Sequence, residues 1–151
     1  MSNTPSLAEQ AFLTRTTSCG WMIQQLSSRY YEVARRQFDP LGLKLEQFIL
    51  MMAIAEAENQ TQTELGQRVR IANYAVTRAL DGLEELGLVE RRADAASRRS
   101  RRIFLTDRGR ALAPRLFDAV QAVNDEVLAP LPPEDRDAFA RVLSQLVNSA
   151  S

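Results

Sequence analysis

The chain has 151 residues, 45% of them hydrophobic and 25% charged, which is the balance of one globular domain with a core of its own. Its 19 basic and 19 acidic residues cancel, so no global field attracts the protein to nucleic acid. It contains no histidine and a single cysteine, Cys19, which excludes Ser-His-Asp and Cys-His catalysis, an intrachain disulfide and Cys-based zinc sites.

Signals of several other protein classes are missing from the sequence. No apolar run reaches the roughly 18 residues of a membrane-spanning helix, and residues 1–6 lack the basic and apolar segments of a signal peptide. The six glycines form neither a GxGxxG nor a GxxxxGK[ST] phosphate loop. We therefore expect a cytoplasmic protein that is not an enzyme, has no cofactor or metal and has no membrane partner.

The first predicted element is a long helix over residues 7–38. Cys19, Ile23, Leu26 and Tyr30 repeat at helical spacing and form one apolar stripe. Residues 39–42, which include a proline and a glycine, end this helix. A further helix over about residues 45–58 carries an apolar set, including Phe48 and Met52, that is dense enough for a core.

Two short helices joined by a turn are predicted from Thr61 onward. Thr61 and Glu64 have the spacing of a capping box, and the chain turns at residues 70–71. The second helix, about residues 72–87, has one apolar stripe, made of Val76, Ala79, Leu80, Leu83 and Leu86. Its opposite face carries Asn73, Tyr74, Thr77, Arg78 and Asp81. Such side chains can read base edges and phosphates, although an ordinary solvated helix face has a similar composition.

A basic hairpin follows these helices. Gly87 is suited to a left-handed helix cap, and residues 88–92 and 101–105 have the character of two short strands joined by eight residues. Residues 91–110 contain eight arginines and two aspartates, a local excess of six positive charges. A charge run is usually a solvated face, but arginine suits phosphates and narrow minor grooves. We call this hairpin the wing, and its predicted contacts to DNA are Arg91, Arg98, Arg99 and Arg101.

Two more helices complete the chain. Thr106 is a suitable N-cap for a helix that extends toward Leu128 and contains Pro114, a residue that can kink it. A last helix starts near Pro133, with acidic residues in its first turn. Its apolar stripe consists of Phe139, Val142, Leu143, Leu146 and Val147.

The terminal helices are longer than a small winged unit can cover. A helix of about 30 residues measures roughly 45 Å. We therefore expect residues 7–38 and 107–149 to be dimerisation helices that flank a winged helix-turn-helix at residues 45–106, all within one domain. A helical hairpin that folds back on its own domain is the alternative.

Several motifs resemble the signature of the MarR family of bacterial transcriptional regulators. They are AVTR at 75–78, LE at 83–84, LGLVER at 86–91, DAASRR at 94–99 and LTDRGR at 105–110. The resemblance covers essentially the whole chain and implies that residues 72–87 lie in the DNA major groove and that Arg99 enters the minor groove.

The chain departs from the family pattern at four positions. Ser97 stands where an aspartate usually steadies the wing arginine, Arg70 where a turn glycine is common, and Ala72 where an N-cap Asp or Ser is common. Gly82 inside the second helix should cost about 1 kcal/mol relative to alanine unless another group approaches it closely.

These observations predict a mainly α fold with a small β-hairpin wing. The predicted function is that of a homodimeric, sequence-specific regulator, a repressor that binds a pseudo-palindromic double-stranded operator and is released by a small aromatic or amphipathic molecule or by an oxidant. The alternative is a helical adaptor that binds a protein partner through the same surface. Candidate effector residues are Cys19, Leu26, Tyr30, Phe48 and Met52. For Cys19, packing, redox sensing and ligand binding remain open.

Overall fold

The computed structural model describes residues 5–95 and 97–149, apart from the side chains of Arg98 and Arg99. Its elements in chain order are α1 (Leu7–Thr17), α2 (Cys19–Phe38), a 3₁₀ turn (Asp39–Leu41), α3 (Leu45–Glu56), β1 (Gln60–Thr61), α4 (Gln62–Val69), α5 (Asn73–Glu85), β2 (Val89–Asp94), β3 (Ser97–Leu105), α6 (Asp107–Leu128) and α7 (Pro133–Asn148). The predicted fold class, mainly α with a β-hairpin wing, is confirmed.

The chain divides into two compact units. The winged unit, Ala34–Val123, contains the end of α2, α3 to α5, the sheet and most of α6. The terminal unit lies within Met1–Val33 and Asn124–Ser151 and contains α1, most of α2, the end of α6 and α7.

The predicted single helix over residues 7–38 is wrong, because the helix is interrupted at Ser18. This residue has extended backbone angles (φ −70°, ψ 124°) and ends α1. Its hydroxyl accepts a hydrogen bond from the Trp21 N–H at 3.4 Å, so the same residue begins α2. The apolar stripe that predicted the helix begins at Cys19, and no comparable stripe is present in residues 7–17, so the pattern supported a helix only over α2.

The terminal unit leaves most of its apolar side chains exposed. In the described residues of α1 and α7 none is buried. In α2, Ile23 is 62% exposed, and Arg29 donates to the Glu126 carbonyl at 3.2 Å. This unit therefore has little hydrophobic core of its own within one chain.

The helix-turn-helix of the winged unit is built around completely buried side chains. Leu65 of α4 and Val76, Leu80 and Leu83 of α5 all have 0% exposure. The predicted capping box at Thr61 is confirmed, since its hydroxyl accepts from the Glu64 N–H at 3.2 Å. The two helices are thus started by a local signal and held by apolar burial.

The turn between α4 and α5 contains a strained residue. Arg70 adopts the left-handed conformation (φ 53°), which usually requires glycine or asparagine. Its N–H donates to the Gln67 carbonyl at 3.4 Å. Ala72 precedes α5 and makes no side-chain cap. Both departures from the family pattern are therefore accommodated by the backbone itself.

The wing is a three-stranded antiparallel sheet with the order β1-β3-β2. Gly87 has a φ of 68°, which confirms the left-handed cap before β2. The strands are longer than predicted, because β2 extends to Asp94 and β3 begins at Ser97. The additional strand residues are rich in arginine and lack the apolar alternation by which a strand is recognised in a sequence. The short strand β1, which pairs Gln60 with Ile103, was not predicted.

Gly82 and Gly109 both occupy places where a side chain would collide. A Cβ on Gly82 would lie 2.5 Å from Nε2 of the buried Gln47, the end of a flexible side chain that would have to shift. A Cβ on Gly109 would lie 2.1 Å from the Leu88 carbonyl oxygen. The helix α6, which continues through Pro114, therefore packs its first turn directly on the backbone at the start of the wing.

Replacing Gly109 by alanine should destabilise the protein despite the better helix propensity of alanine. The added methyl would push against the Leu88 carbonyl, which also accepts the Thr106 N–H at 3.1 Å. We expect a loss of about 1–3 kcal/mol, measured as a lower midpoint of thermal unfolding. The control is Gly20→Ala in α2, where the nearest atom lies at 3.6 Å. That substitution should be neutral or stabilising by up to about 1 kcal/mol. Equal midpoints for the two variants would contradict the close packing of α6.

Candidate nucleic-acid interface

The exposed face of α5 carries the five side chains predicted to read DNA. Asn73, Tyr74, Thr77, Arg78 and Asp81 are all exposed, and Tyr74 reaches 76%. On the opposite face Val76, Leu80 and Leu83 are completely buried, so rotation of α5 about its axis is fixed by the core. The structure therefore brings these side chains together on one solvent-facing surface.

Two of these residues are oriented by a side chain that the sequence analysis missed. Gln62, the first residue of α4, donates through Nε2 to Asn73 Oδ1 at 3.1 Å and to Thr77 Oγ1 at 2.5 Å. Thr77 in turn donates through its hydroxyl to the Asn73 carbonyl at 3.0 Å. A glutamine that starts the first helix of a helix-turn-helix is the signal that could have indicated it. The polar face of α5 is thus ordered before any ligand arrives.

Arg91 is held by two acids and does not project as a free cation. Its guanidinium lies 2.6 Å from Asp81 Oδ1 and 2.5 Å from Glu84 Oε2, and its side chain is only 20% exposed. Burial alone would lower the pKa of Arg91, but hydrogen bonds to Asp81 and Glu84 raise it overall. In this structure Arg91 and Asp81, both predicted to contact DNA, are therefore engaged with each other and join the start of the wing to α5.

The remaining wing arginines differ in their surroundings. Arg101 is exposed in β3, and Arg92 lies over the Phe104 ring at 4.3 Å and pairs with Glu90. The predicted contacts of Arg98 and Arg99 lie outside the described side chains. Arg102, to which no role was assigned, bonds three acceptors across the wing and α4.

Two acids near the wing, Glu58 and Glu64, have a lowered pKa. For Glu64, hydrogen bonds from the Thr61 N–H and hydroxyl and the charge of Arg102 lower the pKa. For Glu58, burial raises the pKa, but bonds from Arg110 and from the Leu105 N–H lower it overall. The carboxylates of this region therefore act as acceptors for arginine and for backbone N–H groups.

The five predicted effector residues fall in both units. Cys19, Leu26 and Tyr30 belong to the terminal unit, where Cys19 is exposed and the other two are half-buried. Burial, and then the neighbouring Tyr31, raise the pKa of Tyr30. Phe48 and Met52 belong to the winged unit. Phe48 is buried and stacks on Phe38 with ring centroids 4.2 Å apart, so it serves as a core residue there.

A cavity of about 470 Å³ lies within the winged unit between the start of α3 and α5. Gln47, Arg78 and Gly82 are among its lining residues, and none of the five predicted effector residues lines it. Across residues 5–95 and 97–149, no group of three or more His, Cys, Asp or Glu side chains could hold a metal ion. No helix in the same part of the chain is long and apolar enough to cross a membrane.

Comparison with known proteins identifies the family and the fold. The sequence model of the MarR family matches residues 41–100, which include α3 to α5 and β2. Rv2887, an HTH-type transcriptional repressor of Mycobacterium tuberculosis, is 31% identical over 127 residues, 84% of this chain and 91% of that protein. The chain belongs to the MarR family. MarR proteins are DNA-binding transcriptional regulators and not enzymes.

Solved structures of MarR-type regulators superpose on most of this chain. Rv2887 in complex with DNA has a TM-score of 0.75 at 27% identity and covers 86% of this chain and 98% of its own. The same protein in complex with salicylic acid has a TM-score of 0.71 at 30% identity and covers 86% and 96%. The repressor CouR, bound to a DNA duplex, has a TM-score of 0.81 at 26% identity and covers 89% and 95%.

Proposed function

We propose that this MarR regulator is a homodimeric repressor that binds a pseudo-palindromic operator and is released by a small molecule. The observation that carries the proposal is the ordered, exposed polar face of α5 beside an arginine-rich hairpin. A protein of this kind acts on chromosomal DNA, so its place of action is the cytoplasm.

The N-terminal half of α5 enters the major groove in this proposal. Arg78 is exposed and suited to a bidentate contact with a guanine edge, while Asn73 can pair with adenine. Arg101 and its neighbours in the wing contact phosphates or the minor groove. The DNA complexes of Rv2887 and CouR support this arrangement, since both relatives share the fold over most of the chain.

Arg78→Ala should weaken binding to the operator by about 1–3 kcal/mol and relax the preference at one base pair. The measurement is fluorescence anisotropy on duplexes from upstream of the protein's own gene, with single base-pair changes. Arg115→Ala is the matched control, because Arg115 is also an exposed arginine but lies on α6. It lines a cavity with Leu86 and Leu88, which follow the C-terminal end of α5, away from the N-terminal half proposed to enter the groove. Its loss should leave base preference unchanged.

A wild-type protein that is not retained on duplex DNA at low salt would contradict the proposed function. It would favour the alternative of a helical adaptor that binds a protein. Retention that falls steeply with salt is expected for phosphate contacts.

The exposed apolar stripe of α7 supports the homodimer. Val142, Leu143, Leu146 and Val147 are between 45% and 60% exposed, and Phe139 is half-buried. A 16-residue amphipathic helix with no buried side chain gains little from folding on one chain. A second copy of the chain would bury this stripe, because the interfaces of obligate dimers are apolar and resemble the core of a domain.

Leu146→Asp should therefore shift the protein from dimer to monomer or to aggregate, because it places a charge in the apolar stripe of α7. Light scattering coupled to size exclusion measures the mass. Asn148→Asp is the control, since helical geometry puts Asn148 on the opposite side of α7 from that stripe. A Leu146→Asp variant that stays dimeric at low micromolar concentration would exclude α7 from the interface.

A small aromatic or amphipathic molecule is the proposed effector. The salicylic acid complex of Rv2887 supports this class of ligand, because that relative has the same fold. Cys19 is the one thiol of the chain and is exposed, so contacts within one chain do not support packing as its role. Redox sensing by Cys19 is the competing mechanism.

Cys19→Ser should leave operator binding and release by salicylate nearly unchanged, because a hydroxyl replaces the thiol without a change of charge or size. Anisotropy of a labelled operator, titrated with salicylate and separately with cumene hydroperoxide, measures both routes. The oxidant mechanism replaces the ligand mechanism if the hydroperoxide frees the wild type while the variant remains bound.

A further inference from the structure

Arg102 occupies the junction between the wing and the first helix of the helix-turn-helix. We propose that it is a positioning residue, which sets the affinity for DNA by fixing the wing against α4 without contacting DNA itself. The inference rests on the proposed function and extends it to a residue outside the predicted DNA contacts.

The geometry of Arg102 links three separate segments. Its Nε donates to Asp94 Oδ2 at 2.9 Å, and its Nη1 donates to Glu64 Oε2 at 3.2 Å and to the Asn59 carbonyl at 3.1 Å. Arg102 lies in β3, the central strand, where it is paired with Thr61 on one side and Arg92 on the other. One guanidinium thus connects the hairpin, the residue that precedes β1 and the start of α4.

Each of the three acceptors lies where the backbone changes direction or where a helix begins. Asp94 is the last residue of β2, next to the irregularity in the β2–β3 register, from which the tip of the wing projects. Glu64 belongs to the capping box, where it accepts the Thr61 N–H at 2.6 Å. Asn59 has a φ of 64°, and its N–H donates to the Ile103 carbonyl at 3.0 Å. The orientation of the hairpin is therefore coupled to the N-terminus of α4.

The degree of burial distinguishes the Arg102–Asp94 pair from a surface ion pair, whereas Glu64 is 52% exposed. The Asp94 side chain is 10% exposed and that of Arg102 is 29% exposed. A largely buried carboxylate that loses its arginine partner is costly, whereas an exposed pair is worth little. The neighbouring Arg101 is exposed, and successive residues of a strand point to opposite faces. Arg101 and Arg102 therefore have different roles despite their identical chemistry.

The opposite charges of Asp94 and Arg102 allow a positioning role to be distinguished from simple electrostatic attraction to DNA. Removal of Asp94 takes a negative charge from the wing, so electrostatics alone predicts tighter binding to DNA. Positioning predicts weaker binding, because Asp94→Asn keeps an acceptor oxygen but loses the charge that strengthens the hydrogen bond from Arg102 Nε. Arg102→Lys gives a second separation, since lysine keeps the charge and lacks the planar fork that reaches several acceptors.

The test measures operator affinity by anisotropy over a series of salt concentrations for Arg102→Ala, Arg102→Lys, Asp94→Asn and the double variant Arg102→Ala with Asp94→Asn. Each single variant should bind about tenfold more weakly, with the salt slope of the wild type, and the double variant should be no weaker than either. Arg101→Ala is the comparison, and its salt slope should fall by roughly 0.9, the value for one phosphate.

Three results overturn the proposal. They are tighter binding by Asp94→Asn, a reduced salt slope for Arg102→Ala with recovery in Arg102→Lys, and additive losses in the double variant.

Hydrogen exchange without DNA provides a readout that does not depend on DNA binding. Arg102→Ala should speed amide exchange at residues 59–64 and in the β2–β3 hairpin, relative to Arg101→Ala. If wild-type protein binds no duplex while exchange changes as expected, the proposed function fails and the positioning of the wing stands. Unchanged exchange overturns the positioning role whatever the result with DNA.

Discussion

The pairing of β3 with strands on both sides is the constraint on which the rest of the winged unit depends. Its inward-facing residues Ile103 and Leu105 are 1% and 3% exposed and join the core formed by α3 to α5. The same strand pairs with β1, which leads into α4, and with β2, which follows α5. A change in the register of β3 would therefore move the wing and both helices of the helix-turn-helix together.

Polar contacts supplement this apolar frame at the surface where DNA is proposed to bind. Gln62 orients Asn73 and Thr77, and Arg91 is held between Asp81 and Glu84. Because these polar groups already bond to one another, fewer side chains of the face are available to a ligand than its composition indicates. An arginine that is occupied within the protein shapes the surface, whereas an exposed arginine such as Arg101 can bind a phosphate.

The terminal unit has the opposite character. The helix α1 begins with a capping box at Ser6, whereas α7 has no side-chain cap, and most apolar residues of both helices remain exposed in one chain. Propensity and caps alone give marginal stability to helices of this length, and the exposed stripe of α7 is the surface through which we propose that the protein dimerises. The winged unit has a core of its own, with side chains such as Leu65 and Leu80 completely buried.

The sequence by itself determined the features that depend on neighbours along the chain. The capping box at Thr61, the left-handed Gly87 and the buried stripe of α5 could be predicted because their partners are within a few residues. The family signature could be read for the same reason. These local signals were sufficient for the helix-turn-helix, the wing and the general function.

Only the tertiary structure decided which polar groups meet across longer separations. Glu64 and Arg102 are 38 residues apart, and β1 pairs with β3 across a similar interval, so no local period indicates either contact. The break at Ser18 was missed because the helix predicted from the apolar stripe of α2 was extended back over residues 7–17, where that stripe does not continue. Arg91 and Arg101 look alike in the sequence, and only the folded chain distinguishes them. Among the described side chains, α5 supplies two carboxylates to Arg91 and none to Arg101, which is exposed.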